Sequence, residues 1–341
     1  MLPELLKEQA GMIDSKLEAF LPRRIDDAWI LKNIGPCEWH PDVVQSFIDP
    51  IWEFLDRGGK RWRPILMLLC AEAVGDNQNA EVLIPVVELI HNGTLMVDDI
   101  EDDSDVRRGA PAIHRQYGED VAINTGNLMY YLPYLALKHA DLSDGMRLQL
   151  HEIISDEMIK IHFGQGMDIY WHNGGKPITE ALYLQMCAFK TGTLARMSAK
   201  LGVVAAGGTE QQMHALGRFA ESLGIAFQIQ DDILNITNQE WGKELGDDIT
   251  EGKRTLLVIR ALEESGKADR LRDILAMKTK EKAAIEEAIQ IIQSTDAIGY
   301  AKSKANSIVK EAWERIEDVL DDSTAKRKLR MFADFVVERD L

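Results

Sequence analysis

Apolar residues recur at three- and four-residue steps through most of the chain. VVELIHNGTLMV (86–97), LHEIISDEMIKIHFGQGMDIYW (150–171), ALYLQMCAFKTGTLARMSAKLGVVAA (181–206) and HALGRFAESLGIAFQIQ (214–230) all follow this spacing. Such a period predicts helices with one buried face, and alternating runs are essentially missing, so the expected fold class is all-α. Clusters of Gly, Pro, Asn and Asp at Asn33 to Pro41, Gly75 to Asn79, Asn173 to Pro177, Gly207 to Glu210 and Ser294 to Gly299 read as turns between helices. From Lys267 onward, KEKAAIEEAIQIIQ and SIVKEAWERIEDVL pair a charged face with an apolar one, as outer helices do. No internal repeat and no break in composition divides the chain. The expectation is a single domain, 1–341, with 1–45 as a helical N-terminal extension and 46–341 as the main bundle.

Composition narrows the class. The 341 residues are 45% hydrophobic, ample for a large core, and 39 Lys and Arg stand against 56 Asp and Glu. A net charge of −17 argues against nucleic acid as a partner, while leaving room for local basic clusters. The three cysteines, Cys37, Cys70 and Cys187, show no paired spacing and read as core thiols of a reducing compartment. The start, MLPELLKEQAGMIDSKLEAF, mixes acids with apolar residues and lacks the basic-then-apolar order of a secretory signal. No run is expected to serve as a membrane span, and the expected location is the cytoplasm.

Two acidic clusters carry the visible chemistry: Asp98-Asp99-Ile100-Glu101-Asp102 and Asp231-Asp232-Ile233-Leu234-Asn235, each closing an apolar helical run. Residues four apart share a helix face and adjacent ones differ by about 100°, so Asp98 and Asp102 can share a cation while Asp99 serves a neighbouring one. Carboxylates massed beside apolar sequence repel one another unless cations neutralise them. A hard, oxygen-seeking ion such as Mg²⁺ fits, and Mg²⁺ held by a few carboxylates completes its shell with water and substrate phosphates. A diphosphate substrate follows.

Further motifs appear in a fixed order. They are Gly58-Gly59-Lys60-Arg61-Trp62-Arg63-Pro64, His91, Arg107-Arg108-Gly109 after the first cluster, Lys190-Thr191-Gly192, Phe227-Gln228 before the second, and Glu251-Gly252-Lys253. In this order the chain resembles the trans-prenyl diphosphate synthases, from about residue 58 to 256 and more weakly to Phe335-Val336-Val337-Glu338-Arg339. The resemblance implies a helical bundle around a deep cavity, usually dimeric, with the acidic clusters facing each other across its mouth. It implies three Mg²⁺ ions on Asp98, Asp102 and Asp231, with Asp99 and Asp232 in close support. Lys190, Lys243, Lys253 and Arg107 would grip the diphosphate of an allylic substrate. Lys60, Arg63, His91 and Arg108 would take isopentenyl diphosphate, and Thr191 and Gln228 would sit beside the reacting carbons. Leu95, Met96 and Phe227 are expected to keep water from the carbocation.

Taken singly, each piece has a plainer reading. Lys60, Arg61 and Arg63 alone could be a solvated turn, Arg107 and Arg108 could only neutralise the acids before them, and 240–253 could be a loose loop or a lid. His114, His162 and His172 read as structural or surface residues. Asn235 stands where many members of the family carry a third aspartate, removing a charge but keeping an oxygen. Eukaryotic-type geranylgeranyl synthases resemble the chain here and in HNGTLMVDDIED and GQGMDIYW.

Gly93 and Thr94, one turn or slightly more before Asp98, are small where early-stopping relatives carry aromatics. The resemblance therefore implies geranylgeranyl diphosphate, with geranylfarnesyl or longer products, or farnesyl diphosphate, as the alternative. Tyr130, Tyr131, Phe163 and Met167 are candidate stops deeper in the cavity. A class I terpene cyclase is disfavoured because Asn235 and Gln239 do not supply its second metal motif. A non-catalytic subunit of a heteromeric synthase is disfavoured because both acidic clusters are present.

Overall fold

In a computed structural model, residues 2–174, 176–237 and 245–337 are described. The chain folds as a helical bundle, as the periodicity predicts. Eight helices frame the cavity and its supports: α1 Leu2–Phe20, α2 Trp62–Val74, α3 Ile84–Glu101, α4 Glu119–Tyr131, α5 Asp144–His172, α6 Thr193–Ala205, α7 Glu210–Thr237 and α8 Ala297–Glu317. Local sequence explains their ends. Pro85 sits in the first turn of α3, where its missing N–H costs nothing. The Ser143 side chain caps α5 by accepting from the Met146 N–H.

One contiguous set of buried apolar side chains runs from Leu2 to Val336. The N-terminal extension belongs to it, since Ile13 and Leu17 of α1 are buried. Asp14 of the same helix pairs with Arg61 at 3.0 Å, and Arg61 in turn pairs with buried Glu88 of α3 at 2.7 Å.

Two expectations need correction, and one apolar run needs explaining. Cys70 and Cys187 are buried, but Cys37 is exposed, because it lies in the turn after the short helix Asp27–Asn33. The stretch Gln78–Glu101 is long and apolar enough to pass for a membrane span, yet 67% of its 18-residue apolar window is buried within the bundle, so its hydrophobicity has a core explanation. A small antiparallel hairpin also appears, Val106–Arg107 with Ala110–Pro111. Two-residue strands have no readable period. Its two-residue loop places both Arg108 and Gly109 at positive φ, 53° and 76°, as a type I′ turn requires.

The run 181–206 is not one uniform helix. Ala188–Gly192 forms a π-helical turn between Glu180–Cys187 and α6. Such a turn widens the helix locally and often marks a functional position; this one carries Lys190 and Thr191. It lies so close to α7 that a Cβ on Gly224 would sit 2.6 Å from the Cα of Gly192, so Gly224 has no room for a side chain, and a Cβ on Gly192 would press on the Glu221 carbonyl at 3.0 Å.

Beneath this turn, fully buried Glu157 of α5 binds Arg196 (2.8 Å) and Lys200 (2.8 Å) of α6. Removing Glu157 takes the paired carboxylate from Lys200 and leaves Arg196 with Glu221 alone, in a site closed to water. Glu157→Ala is therefore expected to cost about 3–5 kcal/mol of unfolding free energy, measured by chemical denaturation. A loss below about 1 kcal/mol, the range of surface pairs, would contradict this role.

Candidate active site

A cavity of about 380 Å³ opens between α2, α3, α5, the π turn and α7. Asp98 on α3 and Asp231 and Asp232 on α7 all line it, so both acidic clusters meet at one site. Lys60, Arg63, His91, Thr94, Arg107, Arg108, Lys190, Thr191, Gln228 and Lys253 line it too. Lys243 lies outside the described residues.

The cations form two sets. Lys190 lies 3.2 Å from Asp98 and 2.6 Å from Asp168, and Lys253 lies 3.1 Å from Asp102 and also pairs with Glu251. Arg107 binds Asp99 through Nε at 2.6 Å and reaches Asp98 at 3.6 Å. Burial alone would raise the Asp98 carboxyl, but Lys190, Lys253 and Arg107 outweigh it and hold it below the usual carboxylate range. Burial would lower the Lys190 ammonium, yet Asp98 and Asp168 hold it above its ordinary value.

The second set is tied down by uncharged groups. Arg63 Nη1 and His91 Nε2 are 3.1 Å apart. Burial and the surrounding arginines push His91 well below its ordinary value, so the ring is neutral, and because arginine only donates, Nε2 accepts. Burial lowers Arg63 to about 10 and Arg108 to about 10, which still leaves both charged at neutral pH. Arg108 donates to the Gly58 carbonyl at 2.5 Å and lies over the Phe54 ring at 5.0 Å. Lys60 sits 5.8 Å from the Phe335 ring, which ties the C-terminal helix Thr324–Val337 to this pocket.

Between the two sets runs a hydrogen-bonded line. The Thr191 hydroxyl donates to Gln228 Oε1 (2.8 Å), Gln228 Nε2 donates to Asp232 Oδ1 (2.8 Å), and the buried Tyr183 hydroxyl donates to Asp232 Oδ2 (2.6 Å). With its proton committed to Gln228, the Thr191 oxygen keeps its lone pairs for the cavity. Trp62 stacks on Phe227 at 5.7 Å, and these rings, with Leu95, Ile161 and Leu194, give the cavity apolar walls.

Several expected roles do not match this geometry. Asp99 is 1% exposed, absent from the cavity wall and bound to Arg107, because one residue of helical rotation turns it away from Asp98. The same rotation buries Met96 in the core while Leu95 faces the cavity. Gly93 does not line the cavity either; it marks the crossing of α3 on α4. A Cβ there would meet Met129 at 2.8 Å and the Gly126 carbonyl at 3.0 Å. Of the deeper candidates only Tyr130 lines the cavity, while Tyr131 (71%) and Phe163 (66%) are exposed and Met167 packs against the core.

The structure also brings in residues that were given no role. His162 lines the cavity and meets Tyr130 edge to face at 5.9 Å. Gln165 donates to Asp98 at 3.0 Å and to Glu101 at 2.7 Å, and Asp168 holds Lys190. Their i, i+3 spacing within GQGMD was the available signal. Tyr183 offered none, since a tyrosine in an apolar helical run reads as core.

The donor set suits a hard cation. Among the described residues no three His, Cys, Asp or Glu side chains converge on one point, so a bound ion would need ligands from water or substrate. That is the habit of Mg²⁺. Asp102 Oδ1 is buried without a hydrogen-bond partner, an unmet demand that a nearby cation and its waters would answer.

A sequence profile of the polyprenyl synthetases matches residues 44–292. The chain is 38% identical over 286 residues to a short chain isoprenyl diphosphate synthase of Methanothermobacter thermautotrophicus, covering 83% of this chain and 87% of that one. It is 33% identical over 304 residues to a geranylfarnesyl diphosphate synthase of Natronomonas pharaonis, covering 84% and 87%. The crystal structure of a geranylgeranyl pyrophosphate synthetase from Pyrococcus horikoshii superposes with a TM-score of 0.86 at 30% identity, covering 99% and 98%.

Proposed function

Because the chain belongs to the polyprenyl synthetase family and is a trans-prenyltransferase, we propose that its cavity condenses an allylic diphosphate with isopentenyl diphosphate and releases all-trans geranylgeranyl diphosphate. The observation that carries this reading is a single apolar-walled cavity with both acidic clusters at its edge and two separate sets of cations.

Lys190, Lys253, Arg107 and Lys243 would grip the allylic diphosphate, and Asp98, Asp102 and Asp231 would hold Mg²⁺, three ions by the family pattern. Bound there, Mg²⁺ would neutralise charge building on the leaving group. Asp99 and Asp232 support rather than ligate, since Arg107, Gln228 and Tyr183 engage them. As the C–O bond opens, Lys190 and Lys253 can exchange their carboxylate partners for diphosphate oxygens, an attraction that grows with the developing charge. Lone pairs on Thr191, aimed by Gln228, face the allylic cation, and Trp62, Phe227 and Leu95 exclude water from it. Lys60, Arg63, Arg108 and neutral His91 hold isopentenyl diphosphate so that its double bond attacks in an effectively unimolecular step. The departing diphosphate then takes the proton lost from the new alkene.

Product length is set by the wall below Asp98, built from Thr94, Tyr130 and His162. Small Thr94 and the relative from Natronomonas keep a geranylfarnesyl product as the second reading. We further propose that residues 1–341 act as one unit in the cytoplasm, as a homodimer through α4 and α5. Ile123, Tyr131, Ile159 and Phe163 expose apolar surface there that a second copy would cover.

The test is to incubate purified protein with Mg²⁺, isopentenyl diphosphate and each allylic primer, then chromatograph the dephosphorylated products and measure the particle mass. A linear C20 alcohol from a two-chain particle is expected. Cyclic hydrocarbons would indicate a cyclase, and silence until another chain is added would indicate a subunit. A monomer of full activity would remove the dimer proposal.

A further inference from the structure

Asn235 occupies the last position of the second acidic cluster, where a metal-ligand role comes first to mind, but its oxygens are engaged elsewhere. Oδ1 accepts the N–H of Asp248 at 3.3 Å, and the backbone carbonyl accepts the N–H of Gly246 at 2.9 Å. The residue is 4% exposed. Both bonds cross from α7 to the segment 246–253.

That segment is a compact turn. Gly246 and Gly252 take φ of 83° and 77°, which favours glycine, and the short helix Asp247–Glu251 lies between them with Ile249 buried. A Cβ on Gly252 would meet the Leu275 carbonyl at 2.9 Å, so the backbone is pressed against its neighbours. The Lys253 N–H donates to the Asp248 carbonyl at 2.8 Å, and the Lys253 ammonium then reaches across the cavity to Asp102. A continuous chain of contacts thus joins the helix of the second cluster to a carboxylate of the first.

We infer that Asn235 is a positioning residue that pins the 246–253 turn, and with it Lys253 and Asp248, to the helix of the second acidic cluster. An amide suits the place because it accepts the Asp248 N–H without adding a carboxylate beside Asp231, Asp232 and Asp248. The inference rests on the proposed role of Lys253 as a diphosphate grip, and one arm of its test does not depend on that role.

The test compares wild type, Asn235→Ala and Asn235→Asp by hydrogen–deuterium exchange of the metal-free proteins and by steady-state kinetics. Loss of one hydrogen bond of ordinary strength should speed exchange of the 246–253 amides about tenfold in Asn235→Ala. KM for the allylic diphosphate should rise about tenfold by the same loss, with KM for isopentenyl diphosphate and the half-saturating Mg²⁺ concentration unchanged. Asn235→Asp, which keeps the acceptor but adds a carboxylate beside Asp231, Asp232 and Asp248, should exchange more slowly than Asn235→Ala without reaching wild type, and its allylic KM should fall between the two. Wild-type exchange in folded Asn235→Ala, or a raised Mg²⁺ requirement with normal exchange, would overturn the pin and favour a ligand. Absence of prenyl transfer in the wild type would strike the proposed function while leaving the exchange result to stand or fall alone.

Discussion

Alanine at both Asp98 and Asp231 is expected to lower kcat/KM by roughly 10⁴-fold, about 5.5 kcal/mol of transition-state stabilisation, while the protein stays folded. The size follows from the reaction, because a leaving diphosphate gathers charge as the bond breaks and these carboxylates are the proposed holders of the ions that meet it. Fold integrity follows from redundancy in the contacts. Lys190 loses Asp98 but keeps Asp168 at 2.6 Å, and Arg107 keeps Asp99. The melting temperature should therefore move by only a few degrees. Single-turnover assays with saturating Mg²⁺, read beside a thermal melt, separate the two effects. Turnover within tenfold of wild type would remove the acidic clusters from the mechanism.

Thr94→Phe is expected to shift the main product from C20 to C15 or shorter, whereas Gly93→Phe should chiefly destabilise the protein. Thr94 lies four residues before Asp98, about 6 Å along the helix axis, and its side chain borders the cavity while its hydroxyl donates to the His91 carbonyl. A phenyl ring there would block the path of a growing chain. Gly93 lies on the neighbouring face, where a Cβ would already crowd Met129, Gly126 and Tyr130 Cε1 at 2.8, 3.0 and 3.2 Å. Overpacking of that kind costs about 1–3 kcal/mol, and a ring asks for more. Chromatography of dephosphorylated products together with melting curves gives both readouts. A folded Gly93→Phe that shortens the product, beside a Thr94→Phe that does not, would exchange the two assignments.

That contrast shows where sequence reasoning reaches and where it stops. Asp98, Asp231, Lys190, Thr191 and Gln228 could be gathered into one site because their motifs, in this order, resemble those of the trans-prenyl diphosphate synthases. The rotation of a helix about its own axis is not written in the same way. Asp98 and Asp99, Leu95 and Met96, and Gly93 and Thr94 differ by one residue each, and only the packing of α3 against α4 settles which of each pair meets the cavity. Asn235 was readable as a departure from the pattern but not as a pin, since its partner Asp248 lies 13 residues on, past the end of the helix. Tyr183 escaped notice because its hydroxyl partner, Asp232, is 49 residues away in the chain.

The left-handed backbone of Arg108 has a consequence for engineering. A bulky residue held there gives up about 1–2 kcal/mol that glycine would not, so a library screened only for expression or heat tolerance has a standing incentive to drift toward glycine at this corner of the hairpin. Such winners would be sturdier and would lack a cation proposed to hold isopentenyl diphosphate. Selection on this scaffold therefore has to score turnover at low isopentenyl diphosphate alongside survival.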